Sequence, residues 1–297
     1  MPTPAPPRRD PTDRVPAALL VLVAIGSVQL GSAVARTVFD VTGANGVTLL
    51  RLAVAGVVLC AVVRPRVLRW SREQISAAVL LGLTMGAMNL VFYQAIRDIP
   101  LGVAVTVEFI GPLLVALAQT RRAVDLLWVV LAGGGVALLG LGTDADLPLR
   151  GLALALLAGM FWGGYILASA RVGRLVPGID GLAMALVVAA ALAVPFGAEG
   201  ATRAFSDPAV LAAGVGVAVL SSIVPYGLEL AALRRIPTRV FGILMSLEPA
   251  AAALAGLIVL GQRLGVRELV ALVLVSAASW GVTLGRREGQ PPVAPLE

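Results

Sequence analysis

Val105-Thr106-Val107-Glu108-Phe109-Ile110-Gly111-Pro112 puts a carboxylate near the middle of an apolar segment that runs from about residue 101 to 119. An acid at the centre of a membrane-crossing helix costs about 2.5–3.5 kcal/mol on insertion scales. Pro112 follows four residues later and has no N–H, so an unbroken helix would leave the carbonyl of Glu108 without its partner. One turn therefore combines a side-chain acid with a freed backbone acceptor. Met245-Ser246-Leu247-Glu248-Pro249 repeats the combination in a later apolar segment, where Pro249 frees the carbonyl of Met245. Two acid-and-proline breaks, one in each half, predict a polar site built twice inside a membrane.

The rest of the composition agrees with a membrane. Of the 297 residues, 59% are hydrophobic and 13% charged. Soluble domains are closer to half apolar and a quarter charged. The excess runs along the whole chain, with a mean hydropathy of +0.94. A span takes about 20 apolar residues, so the length allows about ten. They are expected at about 15–35, 45–63, 75–96, 101–119, 124–143, 151–170, 181–198, 209–231, 239–260 and 266–285. The fold class is thus an all-α polytopic membrane protein. Residues 1–14 are Pro-rich and charged and are expected to be a disordered tail; 286–297 form a second tail. Ala33-Val34-Ala35 has the small-residue spacing of a signal-peptidase site, but the long apolar stretch argues that this first helix is kept.

Arginine placement sets the orientation. Arg8, Arg9, Arg14, Arg64, Arg66, Arg69, Arg72, Arg121, Arg122, Arg171, Arg174, Arg234, Arg235, Arg239, Arg286 and Arg287 fall on one side. Arg36, Arg97, Arg150, Arg203, Arg263 and Arg267 fall on the other. The excess on the N-terminal side makes both termini cytoplasmic by the positive-inside rule. The formal charge of +6 is therefore a topology signal and not a nucleic-acid-binding one.

The two halves resemble each other. A shift of 135 places Arg36, Gly43 and Gly46 on Arg171, Gly178 and Gly181; a shift of 137 places Ala95, Arg97, Ile99, Pro100 and Pro112 on Ala232, Arg234, Ile236, Pro237 and Pro249. The near-constant shift indicates a duplication covering 15–143 and 151–285. Five spans per half is an odd number, so the second half enters the membrane upside down. Inverted repeats of this kind are a transporter signature, with substrate bound near the midplane.

Charged and polar residues within the spans are few. Glu108 and Glu248 can carry a proton, meet a substrate amine, or bond to a neighbouring helix as structural acids. Glu229 lies near Arg234 and Arg235, where an interfacial ion pair is expected. Arg51 is the only cation well inside a span; it can grip a carboxylate, snorkel outward or pair with a buried acid. Pro225 frees the carbonyl of Ser221, so Ser221-Ser222 before Pro225-Tyr226 reads as a pocket wall or a packing kink. Asn89, Tyr93 and Gln94 make a polar stripe, with positions 89 and 93 one turn apart. Gln29, Trp162 and Tyr165 add candidates; the polar ones can equally bond between helices. Both aromatic residues are too deep for an interfacial belt. Gly133-Gly134-Gly135 read as close-packing positions. With no histidine and one cysteine, Cys60, the chain offers no metal site, and it has no phosphate-binding G-x-x-x-x-G-K-[ST] loop.

Four blocks carry a family resemblance. Gly43-Ala44-Asn45-Gly46-Val47-Thr48-Leu49-Leu50-Arg51-Leu52 and Val107-Glu108-Phe109-Ile110-Gly111-Pro112-Leu113 lie in the first half. Arg121-Arg122-Ala123-Val124-Asp125-Leu126-Leu127-Trp128-Val129-Val130-Leu131 follows, and Pro237-Thr238-Arg239-Val240-Phe241-Gly242-Ile243-Leu244-Met245-Ser246-Leu247-Glu248-Pro249-Ala250 lies in the second half. They resemble EamA-type members of the drug/metabolite transporter superfamily, most closely the bacterial threonine/homoserine exporter group, over about residues 15–285. The resemblance implies ten helices in two inverted repeats around a central cavity. It also implies multi-pass insertion in the bacterial inner membrane and export of small amino acids by proton antiport. No cofactor is implied beyond the proton gradient, and the partners are the amino acid, protons and the lipid bilayer, not nucleic acid. By matching block, Glu108 and Glu248 become the acids of the two repeats and Arg51 the second-helix arginine. One position departs: these repeats often read Gly-Glu after the ninth span, and this chain reads Gly261-Gln262. A drug or nucleobase exporter, or an importer, on the same scaffold stays open, although 5% aromatics argues against planar hydrophobic cargo. A membrane-embedded enzyme would need clustered polar or metal-ligating residues that this chain does not offer.

Overall fold

The computed structural model describes residues 15–118, 124–140, 147–233 and 235–285. The two expected tails, Arg121, Arg122 and Arg234 lie outside these residues. Among the described residues there is helix and no strand. In the membrane a helix satisfies its own backbone, which is why an apolar chain of this kind folds so.

The helices are α1 (Ala17–Thr37), α2 (Phe39–Val63), α3 (Arg72–Asp98), α4 (Leu101–Glu108), α5 (Ile110–Ala118), α6 (Val124–Gly140) and α7 (Leu149–Leu175). They continue with α8 (Asp180–Ala204), α9 (Pro208–Ala218), α10 (Val224–Leu233), α11 (Thr238–Met245), α12 (Glu248–Leu260) and α13 (Val266–Gly285). Three apolar segments are interrupted: α4–α5 at Phe109, α9–α10 by a π-turn over Val219–Ile223, and α11–α12 at Ser246-Leu247. Taken through their breaks, nine segments among the described residues are long and apolar enough to span a membrane. The shorter α6, with its apolar part at Leu126–Leu139, makes a tenth candidate.

The ends of the helices follow from local chemistry. Ser71 and Gln74 form a capping box that starts α3, and Gln74 Nε2 also donates to the Leu175 carbonyl at the end of α7. Asp207 caps α9 ahead of Pro208, which occupies a first-turn site where a missing N–H costs nothing. Pro249 sits in the same way in the first turn of α12, so it starts a helix and does not kink one. Gly43 has φ 65° within α2 and Gly178 has φ 66° just before α8, a backbone region glycine enters freely. The eight-residue α4 follows Pro100, and the eight-residue α11 follows Pro237.

Small residues allow the close packing. α2 runs antiparallel along α8, where a methyl on Gly46 or Gly200 would overlap the opposite backbone. α3 packs on α7 and α8, α1 on α10 and α12, α4 on α12, and α6 on α13. Of Gly133, Gly134 and Gly135, only Gly135 faces a neighbour, at Ala271 and Val275 of α13; the other two border open space and are not the packing positions expected. At one end of the bundle, Phe39, Tyr93, Ile96, Ile99 and Leu101 join the largest apolar core. Arg36 fastens that end by donating to the carbonyls of Ile96 (2.9 Å) and Arg97 (3.0 Å), Gln94 donates to Asn45 (2.9 Å), and Arg150 pairs with Asp98 (2.7 Å). The outside of the bundle exposes leucine, valine and isoleucine, such as Val57, Leu126, Leu157 and Ile258, as a lipid-facing surface does.

Candidate functional site

A cavity of about 90 Å³ lies between the segments. One water needs about 10–15 Å³ of such space, so a molecule the size of a small amino acid fits. α1 supplies Val28, Gln29 and Ser32; α2 supplies Arg51; α3 supplies Met88, Asn89 and Phe92. Val105 and Glu108 come from α4, Trp162 from α7 and Glu248 from α12.

The two acids arrive by different local routes. Glu108 is the last residue of α4 and Glu248 the first of α12. The ranges of α4 and α11 coincide at a shift of 137 residues, under which Glu248 corresponds to Gly111 and not to Glu108. Gly111 cannot carry a side chain, because even a methyl there would overlap the carbonyl of Gly159 in α7. Each half of the chain therefore places its acid on a different side of its break, and both acids reach one cavity. Both are 6% exposed. Among the described residues, no hydrogen bond or ion pair engages either carboxylate.

One expectation about this turn is corrected. The carbonyl of Glu108 does not join its side chain in the site. It lies against Gly159, where a methyl would overlap it, so it is spent on packing α4 against α7.

Arg51 is 8% exposed and held by neutral oxygens. Its Nη2 donates to the Ser221 carbonyl at 2.8 Å, its Nη1 to the Tyr93 hydroxyl at 3.2 Å and its Nε to Ser222 Oγ at 3.3 Å. Its guanidinium also sits 5.7 Å from the Tyr93 ring centroid. The π-turn explains the grip: Pro225 has no N–H to offer, so the carbonyls before it need other donors. Arg51 takes that of Ser221, and Ser27 Oγ takes that of Leu220 at 2.6 Å. A guanidinium has five N–H donors, so three of these bonds leave two for a ligand. Arg51 neither snorkels nor forms a direct ion pair with a described acid.

The remaining candidates divide. Asn89 lines the cavity and spends Nδ2 on the Met85 carbonyl at 2.9 Å. Tyr93, one turn on, is fully buried behind Arg51. Trp162 lines the cavity and meets Phe109 edge to face at 5.4 Å. Tyr165 and Tyr226 do not line it. Both pack, partly buried, against the apolar cluster around Leu52 and Leu186, so Tyr165 is not part of this cavity's wall. Ser221 and Ser222 serve the wall through Arg51. Glu229 is half-buried on α10; among the described residues it makes no ion pair with Arg235, whose Nη2 donates to the Val15 carbonyl at 2.9 Å. Sequence reasoning missed Val28, Ser32, Met88, Phe92 and Val105. Only Ser32 carried a signal, being polar and one turn after Gln29.

A buried guanidinium and two buried carboxylates, close but not bonded to one another, can receive a small molecule with both charges. An amino-acid zwitterion has them: Arg51 suits its carboxylate and either glutamate its ammonium.

Comparison with known proteins agrees with this chemistry. Residues 149–284 match the model of the EamA-like transporter family. The threonine/homoserine exporter RhtA of Salmonella typhimurium (strain SL1344) is 46% identical over 275 residues, covering 92% of this chain and 93% of that one. The exporter of the same name from Escherichia coli (strain K12) is 46% identical over 272 residues, covering 91% and 92%. A solved crystal structure shares the fold with a TM-score of 0.55 at 18% identity, over 90% of this chain and 96% of its own.

Proposed function

The chain belongs to the EamA-like transporter family, and we propose that it exports small hydrophilic amino acids of the threonine and homoserine type in exchange for protons. It is a multi-pass protein of the bacterial inner membrane. The observation that carries the reading is the meeting of Arg51, Glu108 and Glu248 in one small cavity. A cavity of about 90 Å³ suits an amino acid better than a drug, whose pockets are roughly 300–1,000 Å³.

The proposed architecture is ten helices in two inverted repeats. Its support is the recurrence of Gly43 at Gly178 and of the Pro100-led α4 at the Pro237-led α11. The contacts between the halves support it too: α3 with α7 mirrors α10 with α1. Both termini face the cytoplasm in this reading. The end closed by Arg36, Gln94 and Asp98 is then the outer one, which supports entry of substrate from the cytoplasm.

In the proposed cycle Arg51 meets the substrate carboxylate and Glu108 or Glu248 its ammonium. With both acids ionised the three groups carry one net negative charge. A zwitterion leaves that charge unchanged, whereas a proton cancels it and removes the acid from the ammonium. Proton and substrate thus compete for one group, and a proton from the outside releases the amino acid. The two halves then rock back.

The test is uptake of labelled threonine and homoserine into inside-out vesicles that carry the purified protein under an imposed pH gradient. Uptake that collapses with a protonophore is expected. No uptake beside a working control exporter would remove this substrate class and leave the fold intact.

A further inference from the structure

Gln29 brings to the wall an amide oxygen that is left over. It is 3% exposed on α1, it lines the cavity, and its Oε1 is buried without a hydrogen-bond partner among the described residues. Its position is held from both sides. Two residues earlier, Ser27 Oγ donates to the Leu220 carbonyl at 2.6 Å; two residues later, Gly31 lets α1 close on Ser221, where a methyl would overlap Ser221 Oγ. The stretch of α1 that carries the amide is thus fixed against the π-turn.

An unpaired buried amide is unfavourable, and an apolar residue of the same size would remove the cost. A ligand group that pairs with it removes the cost as well. The charged ends of a zwitterion are matched by Arg51 and the two glutamates, so the neutral amide is left for a neutral polar group. Asn89 has one N–H tied to the Met85 carbonyl of its own helix, whereas the Gln29 oxygen is buried and unpaired. A hydroxyl is donor and acceptor at once, so it pairs with whichever amide atom faces the cavity.

We propose that Gln29 binds the side-chain hydroxyl of the transported amino acid and sets the preference for hydroxylated over aliphatic amino acids. The assignment rests on the proposed function above. It makes the site one that reads an O–H, and such sites reject analogues lacking it because the site's own polar group is then unpaired.

Valine has the shape of threonine with a methyl in place of the hydroxyl, and norvaline stands in the same relation to homoserine. The experiment measures competition by each against labelled threonine uptake in vesicles, for wild type and for Gln29→Met. Wild type should favour threonine over valine and homoserine over norvaline. In Gln29→Met the threonine affinity should fall roughly tenfold, the worth of one lost hydrogen bond, while valine binds at least as well as before. Retained valine competition also shows that the variant is folded. Equal competition by threonine and valine in wild type overturns the assignment without any variant and leaves the transport reading standing. So does a parallel loss of both ligands in Gln29→Met. Failure of wild type to take up either hydroxylated amino acid overturns the proposed function and this assignment with it.

Discussion

Arg51 shows how much one residue can organise. Its three bonds reach α3 and the π-turn, so it fastens the wall and faces the cavity at the same time. Lysine has a single ammonium and cannot spread over Ser221, Ser222 and Tyr93 together. Arg51→Lys should lower threonine transport by at least about tenfold while the protein stays monodisperse in detergent; uptake and gel filtration check this. Arg51→Met should in addition lower the melting temperature, because it leaves the Ser221 carbonyl unpaired at a cost of about 1–3 kcal/mol. Glu108 and Glu248 have the same exposure and line the same cavity, so both are measured as the proposed coupling acid. Glutamine keeps the shape of either acid and cannot ionise. If Glu108 is the coupling acid, Glu108→Gln should take up threonine at a rate that ignores the imposed pH gradient, with Glu248→Gln measured beside it. Transport by Glu108→Gln at the wild-type rate at every pH would pass the role to Glu248.

At the level of elements, the breaks matter more than the helices. α4 ends at Glu108 because the chain there must pass α7 at backbone distance, with Gly111 and Gly159 face to face. Gly159→Ala would press a methyl onto the Glu108 carbonyl and should destabilise the protein by about 1–3 kcal/mol through overpacking. Gly133→Ala on α6 is the control: nothing lies within 4 Å of the added methyl, and removing a helix-interior glycine should be neutral or stabilising by up to about 1 kcal/mol. Thermal unfolding of both variants in one detergent reads the contrast. The Gly261-Gln262 departure also finds its role here. Gln262 Oε1 accepts from the Leu101 N–H at 3.0 Å and so caps α4 from a distant loop. No negative charge is needed for that bond. Gln262→Leu should cost about 1 kcal/mol as a lost cap. Gln262→Glu should be stabilising by about 0.3–1 kcal/mol, since an anion at a helix N-terminus is favourable.

For the molecule as a whole, the number of crossings decides the side of the C-terminus. Nine described segments have spanning length, and α6 is shorter. If α6 also crosses, the termini share a side; if it does not, they are on opposite sides. Reporter fusions at residues 1 and 297 should both report a cytoplasmic location. Opposite locations would sink the ten-helix arrangement and the inverted repeat with it.

The amino-acid sequence by itself determined the membrane class, the positions of the spanning segments and the identity of the buried charges. Each of these is a local quantity: a transfer free energy summed over about 20 residues, or a proline that removes one bond. The family resemblance was legible for the same reason, in contiguous blocks. Only the tertiary structure decided which residues meet. It brought Glu248 beside Glu108 although the two are out of register, and set Arg51 on a carbonyl 170 residues away. It turned Tyr165 from the cavity and brought Phe92 and Ser32 to it. Those outcomes depend on which helices can touch. Glycines such as Gly31, Gly111 and Gly159 set that closeness through their partners across the bundle, and a partner on another helix leaves no mark in the local sequence.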